Sequence, residues 1–294
     1  MRGRRLIDYL ASKSMRLTAI FVNSIAFLMI FGLYWKSRPL LALKSLTHLL
    51  TSDVWAPLSG KFGFYPFIVG TVEVTAIAMV FAVPTCLLAA IYLAEYSPRR
   101  FREGVRIVID LMAGIPSVIY GLFGVIVIVP LVRDLGRALG RPTTGYTLLA
   151  GGVILAVMVA PIIVSVTVEV LRAVPMEARE TSMALGITRW ETVKHVLLRS
   201  SLHGVISAVV LGFARAFGET IAVLMVMGNV ARTPHSVFDA AYSLPALIAN
   251  NYGEMMSVPL YDSALMLAAL ILLVVVGGFH LAAHLTLYRI EKRS

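Results

Sequence analysis

Apolar residues run along this chain in long blocks rather than in the strict alternation of a half-buried strand, and the blocks decide its class. A helix needs about 20 mostly apolar residues to cross the hydrocarbon of a bilayer. Six stretches meet that requirement, at approximately 17–35, 67–94, 107–132, 146–171, 201–230 and 262–288. The pattern predicts an all-α, polytopic membrane protein with six transmembrane helices. Arg2, Arg4, Arg5, Lys13 and Arg16 precede the first block, as they would in a secretory signal. Its apolar part is too long for one, and no small-residue cleavage site follows before Trp35, so a retained helix is expected.

Lys and Arg distribute unevenly between the two sets of connections. Of the 26, seventeen fall in the N-terminal tail, residues 95–106, residues 171–200 and the C-terminus, eight on the opposite side, and Arg215 lies inside a block. The excess predicts that both termini are cytoplasmic.

Several blocks are interrupted. The third holds Asp110, then Gly114, Ile115, Pro116 and Ser117, then Tyr120, Gly121 and Gly124, so a kink or break is expected at Gly114, Pro116 and Ser117. Pro84 and Pro161 punctuate the second and fourth. Interruptions of this kind persist where neighbouring helices or a water-lined cavity satisfy the freed backbone groups. A pathway or a tightly packed bundle follows. The stretch from Asp239 to Asn250 is moderately apolar yet too short to span, and both an interfacial or re-entrant helix and a plain loop fit it.

Composition agrees with the blocks: 59% of residues are hydrophobic and 14% charged, with a mean hydropathy of +0.85. Soluble domains are about 45–50% apolar and about 25% charged, which leaves no room here for a separate water-soluble core. In a soluble protein the net charge of +10 would suggest nucleic acid. Here the basic residues flank apolar spans, where they set topology and face membrane lipid, so no nucleic-acid partner is expected. Cys86, the single cysteine, lies within an apolar block and reads as a small core residue. His280 and His284 have the spacing of a metal pair but no third ligand nearby, so they read as headgroup-level histidines and no metal or cofactor is expected. The chain holds no G-x-x-x-x-G-K-[ST] loop, so no ATPase site of its own and no enzymatic activity are expected.

Two constellations carry candidate chemistry. The first is residues 172–200. Pro175 with Glu177 and Glu180 reads as a helix start, Gly186 as its stop, and Thr188 with Glu191 as a capping box opening a second short helix. Met183, Ile187, Trp190 and Leu197 recur at helical spacing, giving one apolar face that suits either a docking surface or a helix lying against the rest of the protein. The second is Arg215 and Glu219. A charge at mid-membrane costs roughly 2.5–3.5 kcal/mol on the insertion scale, so such residues usually face an interior pathway. Four apart, the two are expected to share a helix face and to pair, for transport or only for packing. Glu73 and Asp110 are weaker candidates for a path, and Glu169 belongs with the cytoplasmic segment.

The run from Val174 to Thr192 resembles the coupling loop of type-1 ABC importer permeases, whose motif is Glu-Ala-Ala, three residues, then Gly. Glu180, Thr181 and Ser182 stand at the first three positions and Gly186 at the glycine. Two departures are Thr181-Ser182 in place of Ala-Ala and Leu198-Arg199 where Leu-Pro often closes the motif. Within that family the chain is similar to the phosphate branch of PstC type, through Ala113 to Gly124, Ala214 to Thr220 continuing to Gly228-Asn229, and more weakly Leu244 to Glu254. This similarity covers roughly residue 63 to the end.

The resemblance implies a type-1 ABC importer permease fold, with residues 1–66 as tail, first helix and extracytoplasmic loop, and 67–294 as permease core. It implies a channel-forming subunit of an ATP-driven importer of inorganic phosphate in a bacterial inner membrane. Its partners would be a PstA-type sibling permease, two PstB-type ATPase subunits and a PstS-type extracytoplasmic phosphate-binding protein. Glu180, Ala184, Leu185, Gly186, Arg189 and Trp190 would couple to the ATPase, and Arg215, Glu219 and Thr220 would line the substrate pathway. A permease for sulfate or molybdate, an autonomous channel or secondary transporter, and a non-transporting scaffold are the competing readings.

Overall fold

The computed structural model describes residues 2–254 and 257–291, with side chains from residue 9 onward except 283–284 and 286–291. The tail arginines Arg2, Arg4 and Arg5, the His284 side chain, Arg289, Lys292 and Arg293 therefore lie outside the described side chains. Helices dominate, and five are long and apolar enough to span: Tyr9–Leu43, Tyr65–Tyr96, Ser117–Ala138, Leu148–Arg172 and Tyr261–Ala282. Among the described residues Arg189–Ser200 and Leu202–Phe217 are apolar and long enough only together, bent by 76°, and make a sixth span when the pair is taken as one. A two-stranded ribbon, Trp55–Ala56 with Lys61–Phe62, was not expected from the apolar pattern. It serves as a platform on which Trp55 meets Phe62, Phe64, Phe67 and Tyr261.

The bundle is centred on the second and fourth spans. Val74, Ala78, Ala82, Cys86 and Ala90 recur every fourth residue on the second span, and each is buried. Leu155, Val159 and Ile163 of the fourth pack in the same core. Small residues let the two backbones approach, because lipid gives apolar helices no hydrophobic reason to associate and close van der Waals contact must do so. Gly152 is the tightest case: a Cβ there would stand 2.3 Å from a methyl of Ile77. Cys86 is buried as expected and is one rung of this small-residue face. Pro84 and Pro161 are carried inside continuous helices.

The third span differs from the expected 107–132. Arg99–Gly114 is a separate amphipathic helix with Phe101, Ile107, Val108 and Leu111 exposed, and the membrane helix starts only at Ser117. Pro116 explains the boundary, since it lacks an N–H and pushes Ile115 out of helical geometry, to φ −69°, ψ 127°. Asp110 thereby belongs to the amphipathic helix and not to the span, and sits exposed, 4.0 Å from Arg106. Further on, the turn Gly124–Ile128 widens to π geometry just before Pro130, whose ring would meet the Ile126 carbonyl in a regular helix. On the other flank of the bundle, Leu244–Asn251 forms a short helix, which decides between helix and loop. Thr71 anchors it by accepting the Leu244 amide at 2.9 Å.

Candidate pathway and coupling surfaces

The fifth span breaks where its two candidate pathway charges lie. Its helix ends at Phe217, Gly218 turns the chain, and a short helix resumes over Ile221–Val226. Glu219 contributes to the break, because its carboxylate accepts the Ala222 amide at 3.2 Å and so caps the second piece. The Thr220 hydroxyl, immediately before that piece, turns back to the Gly218 carbonyl at 3.4 Å. Arg215 and Glu219 therefore do not share one helix face, and no ion pair joins them; the expected pairing is corrected to a cap at Glu219 and an uncompensated Arg215. Arg215 stands exposed on the last turn of Leu202–Phe217 and makes no hydrogen bond or ion pair among the described residues.

Tyr120 connects this region to the other helix break. Its hydroxyl donates to the Met112 carbonyl at 2.7 Å, stapling the end of the amphipathic helix to the start of the membrane helix across Gly114, Pro116 and Ser117. Next to it, Gly121 lets Ala222 and Met225 of the resumed fifth span pack against the third, since a Cβ at Gly121 would stand 2.5 Å from the Met225 sulfur. The two broken spans thus meet at their breaks. Backbone freed in this way is tolerated at membrane depth only against protein or a watered cavity.

On the far side, the segment between the fourth and fifth spans forms two short helices, Met176–Ala184 and Arg189–Thr192, joined at Gly186 with φ +82°. The capping box is present: Thr188 accepts the Glu191 amide, and Glu191 accepts the Thr188 amide at 2.8 Å. That backbone bond, with a second from the Thr188 hydroxyl, holds the Glu191 carboxyl below the usual carboxylate range. Glu180, Ala184, Leu185, Gly186, Arg189 and Trp190 are all exposed around this bend, with Leu185 at 78% and Trp190 at 50%. The expected single face of Met183, Ile187, Trp190 and Leu197 does not form. The π turn Val193–Leu197 rotates Leu197 inward, where it is fully buried with Ile91, Leu171, Val174 and Val193.

Two contacts that hold this segment were missed from sequence. Arg179 reaches Glu95 at the end of the second span at 3.1 Å and donates to the carbonyls of Leu171 and Val174, both at 2.7 Å. The Arg179 and Glu95 side chains are only 13% and 12% exposed, so the pair ties the segment to two spans at once. A lone carboxylate near the end of an apolar block was the available signal. Ser182 meets Thr192 at 2.9 Å in a buried hydroxyl pair that locks the two short helices together, which gives the departure at Ser182 a physical reason. Arg179→Met is expected to lower the unfolding midpoint of the purified chain, at a cost of about 3 kcal/mol, because Glu95 is left desolvated without its partner. Arg179→Met with Glu95→Gln should recover part of that loss; an Arg179→Met chain that melts with the wild type would contradict the anchor.

A family model for the binding-protein-dependent transport system inner membrane component matches residues 86–286. The chain belongs to this family. Among the permease's relatives, the phosphate transport system permease protein PstC of Xylella fastidiosa strain 9a5c is 34% identical over 99% of this chain and 95% of that protein. A probable PstC of Methanocaldococcus jannaschii is 33% identical over 91% of each. Of solved structures, a bacterial ABC transporter involved in the import of alginate aligns with a TM-score of 0.63 at 17% identity, over 95% of the permease and 97% of that chain. A subunit of the MetNI methionine ABC transporter aligns at 0.59 and 19%, over 77% and 97%. The fold is that of type-1 ABC importer permeases.

Proposed function

We propose that this permease forms half of the membrane channel of an ATP-driven importer of inorganic phosphate, with residues 67–294 as its working core. The observation that carries the reading is Arg215, a guanidinium without a counter-charge among the described residues, beside a helix break in the fifth span. Such a charge on the surface of an isolated chain is costly against lipid, whereas against a watered path shared with a second permease it becomes a ligand for an anion. Relatives named for phosphate transport, similar along nearly the full chain, favour phosphate over other oxyanions. The partners are a PstA-type sibling, two PstB-type ATPases seated on the exposed bend around Gly186, and a PstS-type binding protein on the opposite face. That bend faces the cytoplasm of a bacterial inner membrane, as do both termini.

Radiolabelled phosphate uptake into vesicles carrying the whole complex, with ATP inside and binding protein outside, is the direct test. Uptake is expected to depend on ATP and to resist a tenfold excess of sulfate. Uptake driven equally without ATP would favour an autonomous transporter. Competition by sulfate at parity would make the permease one for oxyanions in general.

A further inference from the structure

The coupling segment roofs a cavity of about 390 Å³ whose lining includes Glu95, Arg102, Arg172, Arg179, Arg189 and Thr192. Four guanidiniums and one carboxylate meet there, and the carboxylate is already taken by Arg179. Arg102 donates from one nitrogen to the Ser97 carbonyl at 2.9 Å, while its Nε is buried without a hydrogen-bond partner among the described residues. Arg172 is exposed and makes no hydrogen bond or ion pair among the described residues. Arg189 leans over the Tyr96 ring at 5.5 Å with no carboxylate on it. An adjoining cavity of about 60 Å³ shares Arg102 and Arg172 and adds one charge of each sign, Arg106 and Glu169, so the excess there is that of the two shared guanidiniums.

A cleft lined by one sign of charge between low-dielectric walls concentrates counter-ions. Forked guanidiniums, as opposed to ammonium groups, match the paired oxygens of a phosphate group. We infer that this cavity is a binding site for a phosphate group, distinct from the pathway at Arg215. Its walls come from the amphipathic helix, the ends of the second and fourth spans, and both short helices of the coupling segment. A bound phosphate group therefore bridges the segment that meets the ATPase to the spans it must move, and sets how freely the two shift. The chemistry admits two sources, free inorganic phosphate and the headgroup of an anionic phospholipid, since basic pockets at the cytoplasmic face bind such headgroups. The binding site itself rests on geometry; the side of the membrane on which it opens and its link to the ATPase rest on the proposed function.

The test uses the assembled transporter with Arg215→Gln in the background, so that binding in the pathway is suppressed. One arm measures binding of radiolabelled inorganic phosphate in nanodiscs of phosphatidylcholine. The other measures phosphatidylglycerol retained in native mass spectra after extraction from mixed-lipid membranes. Arg172→Gln is expected to weaken whichever ligand is bound by roughly tenfold or more. Loss in the first arm identifies the free anion and loss in the second the lipid. Arg172→Lys, which keeps the charge but not the fork, should lose less, and replaces the neutral variant if that fails to assemble. Equal values with and without the Arg172 substitution in both arms overturn the site, including the case in which an ATPase side chain fills it. Because uptake is not the readout, failure of the phosphate-importer reading would leave this result standing.

Discussion

Arg215→Gln is expected to abolish phosphate uptake, by at least about a hundredfold, while the transporter still assembles with its full set of subunits. Near pH 7 inorganic phosphate is a mixture of mono- and dianion, and it must shed water to pass the membrane. A guanidinium offers a planar fork of donors that replaces part of that hydration, and two charge-assisted bonds of about 1.5–3 kcal/mol each account for a loss of this size. Arg215 is free to make them, since no described residue occupies its donors and Glu219 is engaged in capping Ile221–Val226. Arg215→Lys should retain at most a few per cent, because the point charge survives and the fork does not.

Glu219→Gln gives the contrasting result. The amide oxygen still accepts the Ala222 N–H, so the cap persists and transport should fall only several-fold, whereas Glu219→Ala frees that amide and should cost more. If Glu219 instead neutralised Arg215 directly, Gln and Ala would be equally damaging. Vesicle uptake for the four variants separates the cases, and wild-type uptake by Arg215→Gln would remove the fifth span from the pathway.

The sequence revealed the spans, the bend and the break at Pro116 better than it revealed where the third span starts or that the fifth breaks at Gly218. Apolar length alone marks a helix such as Leu148–Arg172, and Gly186 followed by Thr188 and Glu191 marks a cap, because both signals are local in the chain. The span start at Ser117 escapes the apolar pattern because Arg99–Gly114 is amphipathic and runs straight into an apolar block; composition blurs what Pro116 separates. Reading Arg215 and Glu219 as an i, i+4 pair assumes that the helix continues. Gly218 is visible in the sequence, but a glycine within a span bends or stays helical according to how the chain after it packs, here with Ala222 and Met225 against Gly121 of the third span. Arg179 with Glu95 lies beyond reach for the same reason, being 84 residues apart in sequence and joined only by the fold.

The bend at Gly186 carries the other large expectation: Gly186→Val should uncouple the ATPase, leaving nucleotide hydrolysis that no longer responds to the binding protein and uptake reduced at least tenfold. At φ +82° a β-branched residue is strained, and a Cβ at this position would have no neighbouring atom within 4 Å to clash with, so the effect is on backbone direction alone. The bend is held from both sides by features that would not yield: the Ser182–Thr192 hydroxyl pair, the Thr188–Glu191 box and the Arg179 anchor. Relief must come from residues 183–187, which moves Leu185 relative to Trp190, the two exposed apolar side chains proposed to seat in the ATPase. Leu185→Asp should reproduce the loss without backbone strain, by placing a charge where the groove expects an apolar knob. Gly186→Ala should sit between wild type and Gly186→Val, and Gly186→Asn closer to wild type, because asparagine tolerates the left-handed region best among residues with a side chain. Co-purification of the ATPase with each variant supplies the check. The ordering wild type, Asn, Ala, Val is what conformational strain demands; a series in which Asn and Val are equally harmful would mean that the docked surface rejects any side chain at this position, and that the glycine is needed for contact and not for its φ.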